Sequence, residues 1–118
     1  MNDAQSNHMA MNDVYAANEP ARADIDRPDA PTMIEFGSPW GGHCRAAQPL
    51  LVSALADHPL VRHLKIADGS GRPLGRSFGV KLWPTLVFLR QGKEIARLVR
   101  PMSSEPIRRA LAQIDPSG

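Results

Sequence analysis

Residues 34–49 read IEFGSPWGGHCRAAQP, and this stretch decides the fold prediction. It begins inside an apolar run, Thr32–Gly37, that is typical of a short buried strand. Gly and Pro crowd the next residues, up to Gly42, and predict a turn. From about His43 to Asp57 apolar side chains recur at helical spacing, and Pro49 is expected to kink that helix because it lacks the N–H of the preceding turn. The stretch therefore predicts a strand, a tight turn and a helix in succession.

After this stretch, the sequence predicts further alternating strands and helices, then a β-hairpin and a last helix. Ser103 or Ser104 is predicted to cap the last helix, whose apolar side chains follow the spacing i, i+3, i+4, i+7. The predicted order is β-α-β-α-β-β-α, an α/β fold with a central mixed β-sheet flanked by helices. The further elements are strand Leu60–Ala67, helix Pro73–Gly79, strands Thr85–Leu89 and Glu94–Val99, and a helix with Ile107, Ala110, Leu111 and Ile114 on its apolar face.

The charges are distributed unevenly along the chain. Residues 1–31 hold six acids and two bases, a net charge of −4, whereas residues 32–118 hold six acids and twelve bases, a net charge of +6. Residues 1–30, acidic and poor in large apolar side chains, are predicted to be a mostly disordered arm, with a helical turn or two at Asn12–Asn18. The domain is expected to span residues 31–118. Its basic surface indicates a solvated face, an anionic partner, or an arm that lies over it.

Composition excludes several classes of function. No apolar run approaches the roughly 20 residues of a membrane helix, and the polar N-terminus has no signal-like apolar segment, so we expect a cytoplasmic protein without a membrane partner. The single cysteine cannot form an internal disulfide, and the four histidines have no zinc spacing, so no metal and no cofactor are expected. His8, His58 and His63 are predicted to lie on the surface. Few aromatic residues and no dense Lys/Arg run argue against nucleic acid.

The chain resembles thioredoxin over about residues 32–115. Glu35 stands where that family has a buried Asp, Trp40–Cys44 (WGGHC) resembles its Trp-Cys-Gly-Pro-Cys loop, and Pro49 matches its kinking proline. Trp83–Thr85 (WPT) resembles the Ile-Pro-Thr segment whose proline is cis, and Lys65 falls where the family has a lysine paired with the acid. The resemblance implies the thioredoxin fold and a groove at Pro84 that binds extended peptides by strand addition.

Three departures change the expected chemistry. Gly41 replaces the first cysteine of the motif, His43 replaces its proline, and Arg100 replaces a groove glycine. The family's first strand and helix have no clear counterpart, so we expect the sheet to lack one edge strand. Disulfide reduction in this family needs an attacking and a resolving thiol, and only the resolving one, Cys44, is present. The chain is therefore not expected to be an efficient dithiol–disulfide reductase. It resembles thioredoxin-domain chaperones that keep only the second cysteine, and hydrogenase-maturation factors that have lost both.

Two interpretations stay open at each candidate residue. Cys44 is either a reactive thiol, more open than usual because Gly41 leaves it uncovered, or a small buried hydrophobe. Glu35 is either its proton acceptor, with Lys65 as partner, or part of a structural ion pair. Trp83 either flanks the groove or fills the space that Gly37 leaves. The candidate catalytic residues are Cys44, Glu35 and Lys65, and the candidate substrate-binding residues are Trp40, Gly41, Gly42, His43, Trp83, Pro84, Thr85 and Arg100.

The predicted function is thioredoxin-like engagement of thiol or disulfide partners through mixed disulfides at Cys44, in cell redox homeostasis. The protein would be at most a monothiol disulfide oxidoreductase. Expected partners are proteins or peptides with thiols or disulfides, or small thiols such as glutathione, and the protein is expected to be a monomer or a Cys44-linked dimer. The alternative is a redox-inactive peptide-binding module, chaperone or maturation factor that uses the groove at Pro84 alone.

Overall fold

The structure is a computed structural model that describes residues 11–12, 14–27 and 29–116. Its element order matches the predicted β-α-β-α-β-β-α, preceded by one short helix, and several element ends lie one or two residues from the predicted positions. The elements are α1 (Arg22–Ile25), β1 (Thr32–Gly37), α2 (Gly42–Leu55), β2 (Arg62–Ala67), α3 (Pro73–Ser77), β3 (Thr85–Arg90), β4 (Lys93–Val99) and α4 (Ser104–Ile114).

The strands of the described residues form one mixed sheet in the order β2-β1-β3-β4. β1 pairs parallel with β2 and antiparallel with β3, and β3 pairs antiparallel with β4. Since side chains alternate along a strand, each face of the sheet carries every second residue. The prediction of an α/β fold with a central mixed sheet is confirmed.

Each face of the sheet is covered by its own apolar cluster. On one face Met33, Leu86 and Phe88 contact α2 and α4, which contribute among others Leu51 and Leu111. On the other face a second cluster joins the sheet to α1, α3 and the segment that follows α3. Its members are Ile25, Ile34, Phe36, Ile66, Leu74, Phe78, Val80, Val87 and Leu89. Glu35 alternates with Met33 and therefore lies on the face that α2 covers.

The described part of the arm packs against the domain, which differs from the expectation of a mostly disordered segment. Ile25 is 1% exposed and belongs to an apolar cluster. The described residues within 12–18 form no helix, so the helix predicted there is wrong. Two of their backbone N–H groups donate to β2 instead: that of Asn12 to His63 Nδ1 at 2.8 Å and that of Ala16 to the Lys65 carbonyl at 2.9 Å. Residues 1–10 lie outside the described part of the chain.

The arm runs along the free edge of β2, where the sheet of the described residues has no further strand. Arg62 fastens it there, since its Nη1 and Nη2 donate to the carbonyls of Asp24 and Ile25 at 3.0 and 2.9 Å. These carbonyls belong to the last turn of α1, where intrahelical partners are lacking. Burial lowers the pKa of Arg62 from its ordinary value. Arg62 is thus one of several contacts that tie the arm to the domain.

Two histidines predicted to lie on the surface are buried. His58 is 6% exposed, and its Nδ1 lies 2.9 Å from Asp115 Oδ2. His63 is 4% exposed and lies on β2, on the same face as Lys65. Both are tolerated in the interior because each ring nitrogen that faces the protein has a polar partner. His8 lies outside the described residues. No helix of the described residues is long and apolar enough to cross a membrane.

Candidate functional site

One end of the sheet brings together the loops that the sequence marked. The register places Phe36, Thr85 and Val99 in one row, so the next row holds Gly37, Pro84 and Arg100. The N–H of Arg100 donates to the Pro84 carbonyl at 3.0 Å, which closes that row. The turn that follows Gly37 leads into α2 at the same end. The Gly41–Cys44 loop, the Pro84 segment and Arg100 therefore share one edge.

The Trp83–Pro84 peptide bond is cis, the geometry that the resemblance implied. Pro84 and Thr85 are buried, and the Thr85 hydroxyl donates to the Leu82 carbonyl at 2.6 Å. Thr85 therefore holds its own loop in place through its side chain. Trp83 is half-buried, and its Nε1 donates to Asp68 Oδ2 at 2.7 Å.

Cys44 is buried, at 2% exposure, as in the second of the two interpretations left open by the sequence. Its Sγ accepts a hydrogen bond from the Ser38 N–H at 3.4 Å, and the Tyr15 hydroxyl hydrogen-bonds to the same side chain. A Cβ on Gly37 would lie 2.7 Å from Sγ and 3.3 Å from the Tyr15 hydroxyl. The absence of a side chain at Gly37 thus makes room for the thiol and for the tyrosine. The arm, rather than a neighbouring cysteine, covers this sulfur, and Tyr15 rather than Trp83 lies at the space beside Gly37.

Gly41, the position of the missing first cysteine, lies directly beside the thiol. A Cβ built there would lie 3.3 Å from Cys44 Sγ and 3.7 Å from Cys44 Cβ. Disulfide-bonded cysteines have Cβ atoms about 3.8 Å apart. The backbone therefore keeps the geometry of a Cys-x-x-Cys disulfide although one of the two thiols is absent. Gly42 and His43 are exposed on the first turn of α2.

Glu35 is a fully buried carboxylate with three polar neighbours. Its Oε1 lies 2.9 Å from His63 Nε2, and its Oε2 accepts from Gln48 Nε2 at 2.8 Å. Lys65 stands opposite Glu35 in the register, with its Nζ 3.8 Å from Oε2. The buried acid thus has the lysine that the sequence predicted and two further partners. No hydrogen bond joins Glu35 to the Cys44 thiol among the described residues.

The hydrogen bonds assign the protons of this cluster. The backbone N–H of Asn12 donates to His63 Nδ1 at 2.8 Å. A backbone N–H can only donate, so Nδ1 is unprotonated and Nε2 carries the ring proton that it donates to Glu35. Glu35 accepts at both oxygens, from His63 Nε2 and Gln48 Nε2, and Lys65 Nζ lies 3.8 Å from Oε2. The arm residue Asn12 thus selects the histidine tautomer that supports the buried carboxylate.

Gln48 connects the acid to the cysteine. Its Nε2 donates to the Cys44 carbonyl as well as to Glu35, at 2.8 Å in each case, while its Oε1 accepts from Lys65 Nζ at 2.8 Å. Lys65 also lies over the ring of Tyr15, 4.9 Å from its centroid. The buried charges, the start of α2 and the arm therefore form one connected network.

Sequence reasoning missed His63, Gln48, Tyr15 and Asn12 as members of the site. A signal was available for His63, since it stands two residues before Lys65 on a predicted strand and must share its face. Gln48 stands four residues after Cys44, one turn along the same helix. Nothing in the sequence marked Tyr15 or Asn12, because their positions depend on the path of the arm over the domain.

A cleft of about 220 Å³ opens beside the cysteine, with Tyr15, Ser38, Cys44, Arg45 and Lys65 in its wall. Burial raises the pKa of the Tyr15 hydroxyl, and the negative charge of Glu35 and the interactions with Cys44 raise it further. Tyr15 therefore keeps its proton at neutral pH while its hydroxyl is hydrogen-bonded to the Cys44 side chain. Within the described part of the chain no group of His, Cys, Asp or Glu side chains has a metal-binding arrangement.

Comparisons with known proteins agree with this geometry. The thioredoxin family model matches residues 14–113. The chain belongs to the thioredoxin family. Thioredoxin 2 from Pseudomonas aeruginosa PAO1, solved in its reduced form, is 54% identical with a TM-score of 0.79, over 92% of this chain and 100% of that one. Thioredoxin of Chlamydia muridarum is 38% identical over 57% of this chain and 66% of its own length.

The chain covers a smaller share of other curated relatives. Thioredoxin H-type 1 of Nicotiana tabacum is 30% identical over 62% of this chain and 58% of its own length. The chain thus spans less than two thirds of the curated thioredoxins that it matches. Together with the fold, the comparisons describe a thioredoxin-family chain in which one cysteine of the motif remains. The family match begins at residue 14, so the family assignment covers the part of the arm that holds Tyr15.

Removing the tyrosine cover is expected to expose the thiol. Tyr15→Ala should raise the rate of Cys44 alkylation by iodoacetamide roughly tenfold, because the thiol then reacts without an opening of the arm. Tyr15→Phe keeps the ring and should give a smaller increase. Val14→Ala is the matched control, since Val14 is 66% exposed and its truncation leaves the sulfur covered. Equal alkylation rates for Tyr15→Ala and the unaltered protein would show that Tyr15 does not limit access.

Proposed function

We propose that this protein is a single-cysteine member of the thioredoxin family that engages thiol or disulfide partners through a mixed disulfide at Cys44. The observation that carries the proposal is the position of this thiol: it lies in the first turn of α2, at the wall of a cleft, beside the residue where the attacking cysteine would stand. The positive end of the helix dipole favours negative charge there. The thiol is the only one in the sequence, so a second thiol must come from outside.

The proposed step is one thiol–disulfide exchange followed by an external resolution. Cys44 loses its proton to solvent, and its thiolate attacks one sulfur of a partner disulfide. The bond from Cys44 to that sulfur forms, the partner's S–S bond breaks, and its other sulfur leaves as a thiolate. A second thiol of the partner, or a small thiol such as glutathione, then attacks the mixed disulfide and releases Cys44. Net reduction of the partner disulfide therefore needs two external thiols, which leave as one disulfide, whereas resolution by a second thiol of the partner only rearranges its disulfides.

In this proposal the arm controls access to the Cys44 thiol, and the buried network positions the start of α2. Tyr15 must leave the sulfur before a partner reaches it, so the described structure corresponds to a closed state. Glu35 has no direct contact with the thiol and acts on it through Gln48, which holds the Cys44 carbonyl. We therefore assign Glu35 and Lys65 a positioning role, with proton transfer from the thiol going to solvent.

Mass spectrometry with glutathione disulfide tests the proposal directly. The unaltered protein should gain one glutathione on Cys44, and dithiothreitol should remove it. Cys44→Ser should gain none, and Tyr15→Ala should form the adduct faster than the unaltered protein. Ser53→Cys places a thiol on the exposed side of α2 and serves as the control for an ordinary surface thiol when combined with Cys44→Ser. Failure of Cys44 to form an adduct, even in Tyr15→Ala, would overturn the proposal.

A redox-inactive peptide-binding module is the second candidate, and two observations favour it. Cys44 is buried, whereas Trp40 and Met102 at the same end of the sheet are 85% and 93% exposed. Large apolar side chains held in water are suited to binding a partner. This function would survive Cys44→Ser, whereas mixed-disulfide formation would not. Suppression of the aggregation of an unfolded test protein by Cys44→Ser, at the level of the unaltered protein, would favour the binding module.

A further inference from the structure

Arg100 is held in an unusual conformation by two backbone contacts. Its φ is +50°, in the left-handed region that favours glycine. Its N–H donates to the Pro84 carbonyl at 3.0 Å, and its side-chain Nε donates to the Trp83 carbonyl at 2.8 Å. An exposed arginine side chain is ordinarily free to rotate, whereas this one is anchored at both ends. A strained residue of this kind indicates a functional position.

The anchored side chain presents an unused pair of donors. Nε is the only atom of the guanidinium with a hydrogen-bond partner among the described residues, so neither Nη group has one there. The planar fork of a guanidinium matches the two oxygens of a carboxylate, and Lys has no equivalent geometry. Because the Nε contact already fixes its orientation, a carboxylate would bind without much further ordering of the side chain.

The surface around this guanidinium is apolar and carries little negative charge. Lys81 is exposed on the loop before Pro84. The Asp68 carboxylate accepts a hydrogen bond from the indole Nε1 of Trp83. Glu105, the next acid after Arg100, lies 3.5 Å from Arg109. The chain from residue 32 onward carries a net charge of +6. Four apolar side chains at this end of the sheet are exposed: Trp40 at 85%, Leu82 at 50%, Val99 at 48% and Met102 at 93%.

We propose that Arg100 is the receptor for an acidic side chain of an extended peptide that docks across Trp83 and Pro84, with apolar side chains of the peptide on the exposed patch. The occupant follows from charge complementarity: a guanidinium fork inside an apolar and basic surface selects an Asp or Glu flanked by apolar residues. The inference rests on the proposed binding of protein partners at this face and names their chemistry. It needs no thiol and can be tested apart from Cys44.

A library of cysteine-free random peptides, selected on the immobilised Cys44→Ser protein, tests this receptor. Enriched peptides should carry Asp or Glu at one position between apolar residues. A synthetic peptide from that set should bind about fivefold to tenfold more tightly than its Glu→Gln version. When Arg100→Gln is added to the Cys44→Ser protein, the ratio of the two peptide affinities should fall to about one, so the preference for the acidic peptide is lost. Arg100→Lys in the same protein should keep only part of that preference.

Arg90→Gln is the matched control, because Arg90 is exposed at the opposite end of β3 and its loss changes the net charge equally. It should leave the preference for the acidic peptide unchanged. Two outcomes would overturn the inference: a selection that enriches no acidic position, or an acidic preference that Arg100→Gln and Arg90→Gln reduce to the same degree. Neither outcome bears on the mixed disulfide, which the glutathione adduct tests separately. An adduct without acidic peptide selection would retain the proposed function and remove Arg100 from it.

Discussion

Gly41→Cys is expected to form an intramolecular disulfide with Cys44 and to turn a protein without insulin-reductase activity into one with measurable activity. The backbone already has the required geometry, since a Cβ at Gly41 lies 3.7 Å from Cys44 Cβ and disulfides need about 3.8 Å. The new thiol would supply the attacking group and Cys44 the resolving one. Insulin precipitation with dithiothreitol as donor, together with a thiol count by mass spectrometry, measures both results.

Gly42→Cys is the matched control for this gain. A Cβ at Gly42 meets no atom within 4 Å, so a cysteine there points away from Cys44 and should form no disulfide with it. The Arg100 side chain is hydrogen-bonded to the Trp83 carbonyl and crowds the groove where the substrate would lie. Gly41→Cys with Arg100→Gly should therefore exceed the insulin-reductase activity of the single variant. A Gly41→Cys protein that stays fully reduced under oxidising conditions would contradict the juxtaposition. Insulin reduction by the unaltered protein at the rate of a dithiol thioredoxin would contradict the single-thiol chemistry.

Ile25→Ala is expected to lower the free energy of unfolding by about 2–4 kcal/mol. Ile25 is 1% exposed and fills part of the cluster formed with Phe36, Phe78 and Leu89. The truncation leaves a cavity between α1 and the sheet. Deleting residues 1–30 should cost at least as much, since it also removes the Asp24 and Ile25 carbonyls that Arg62 binds. Urea denaturation followed by circular dichroism gives both values.

Val14→Ala is the control within the same segment, because Val14 is 66% exposed, and its effect should stay below about 0.5 kcal/mol. A loss of less than about 1 kcal/mol on deletion of residues 1–30 would mean that the arm contributes little, as expected of a disordered segment. In that case the covering of Cys44 by Tyr15 would be transient as well. The stability of the deletion variant therefore also indicates how firmly Tyr15 covers Cys44.

The amino-acid sequence by itself determined the element order and the end of the sheet where the site lies. Alternation, helical spacing and the Gly and Pro positions are local signals, so Thr32–Gly37, the helix after Gly42 and the hairpin at Gly92 were predictable without tertiary information. The resemblance to the thioredoxin motifs, rather than the local patterns, implied that Gly41, Cys44 and the Trp83–Pro84 segment lie together. The same resemblance implied the pairing of Glu35 with Lys65, and the structure has the two residues opposite each other on adjacent parallel strands.

Tertiary structure alone decided how the site is covered and which polar groups complete it. Residues 11–12 and 14–27 have little local preference, and their path results from long-range contacts such as Asn12 with His63 and Arg62 with Ile25. The same segment covers Cys44 with Tyr15, where the sequence left open whether the thiol is accessible or buried, and it buries His63, which was expected on the surface. Arg100 gave no signal beyond replacing a glycine, since its left-handed φ and its bond to the Trp83 carbonyl exist only when β4 lies beside β3. Local patterns specify elements, whereas a covering segment and an anchored side chain depend on contacts between residues far apart in the chain.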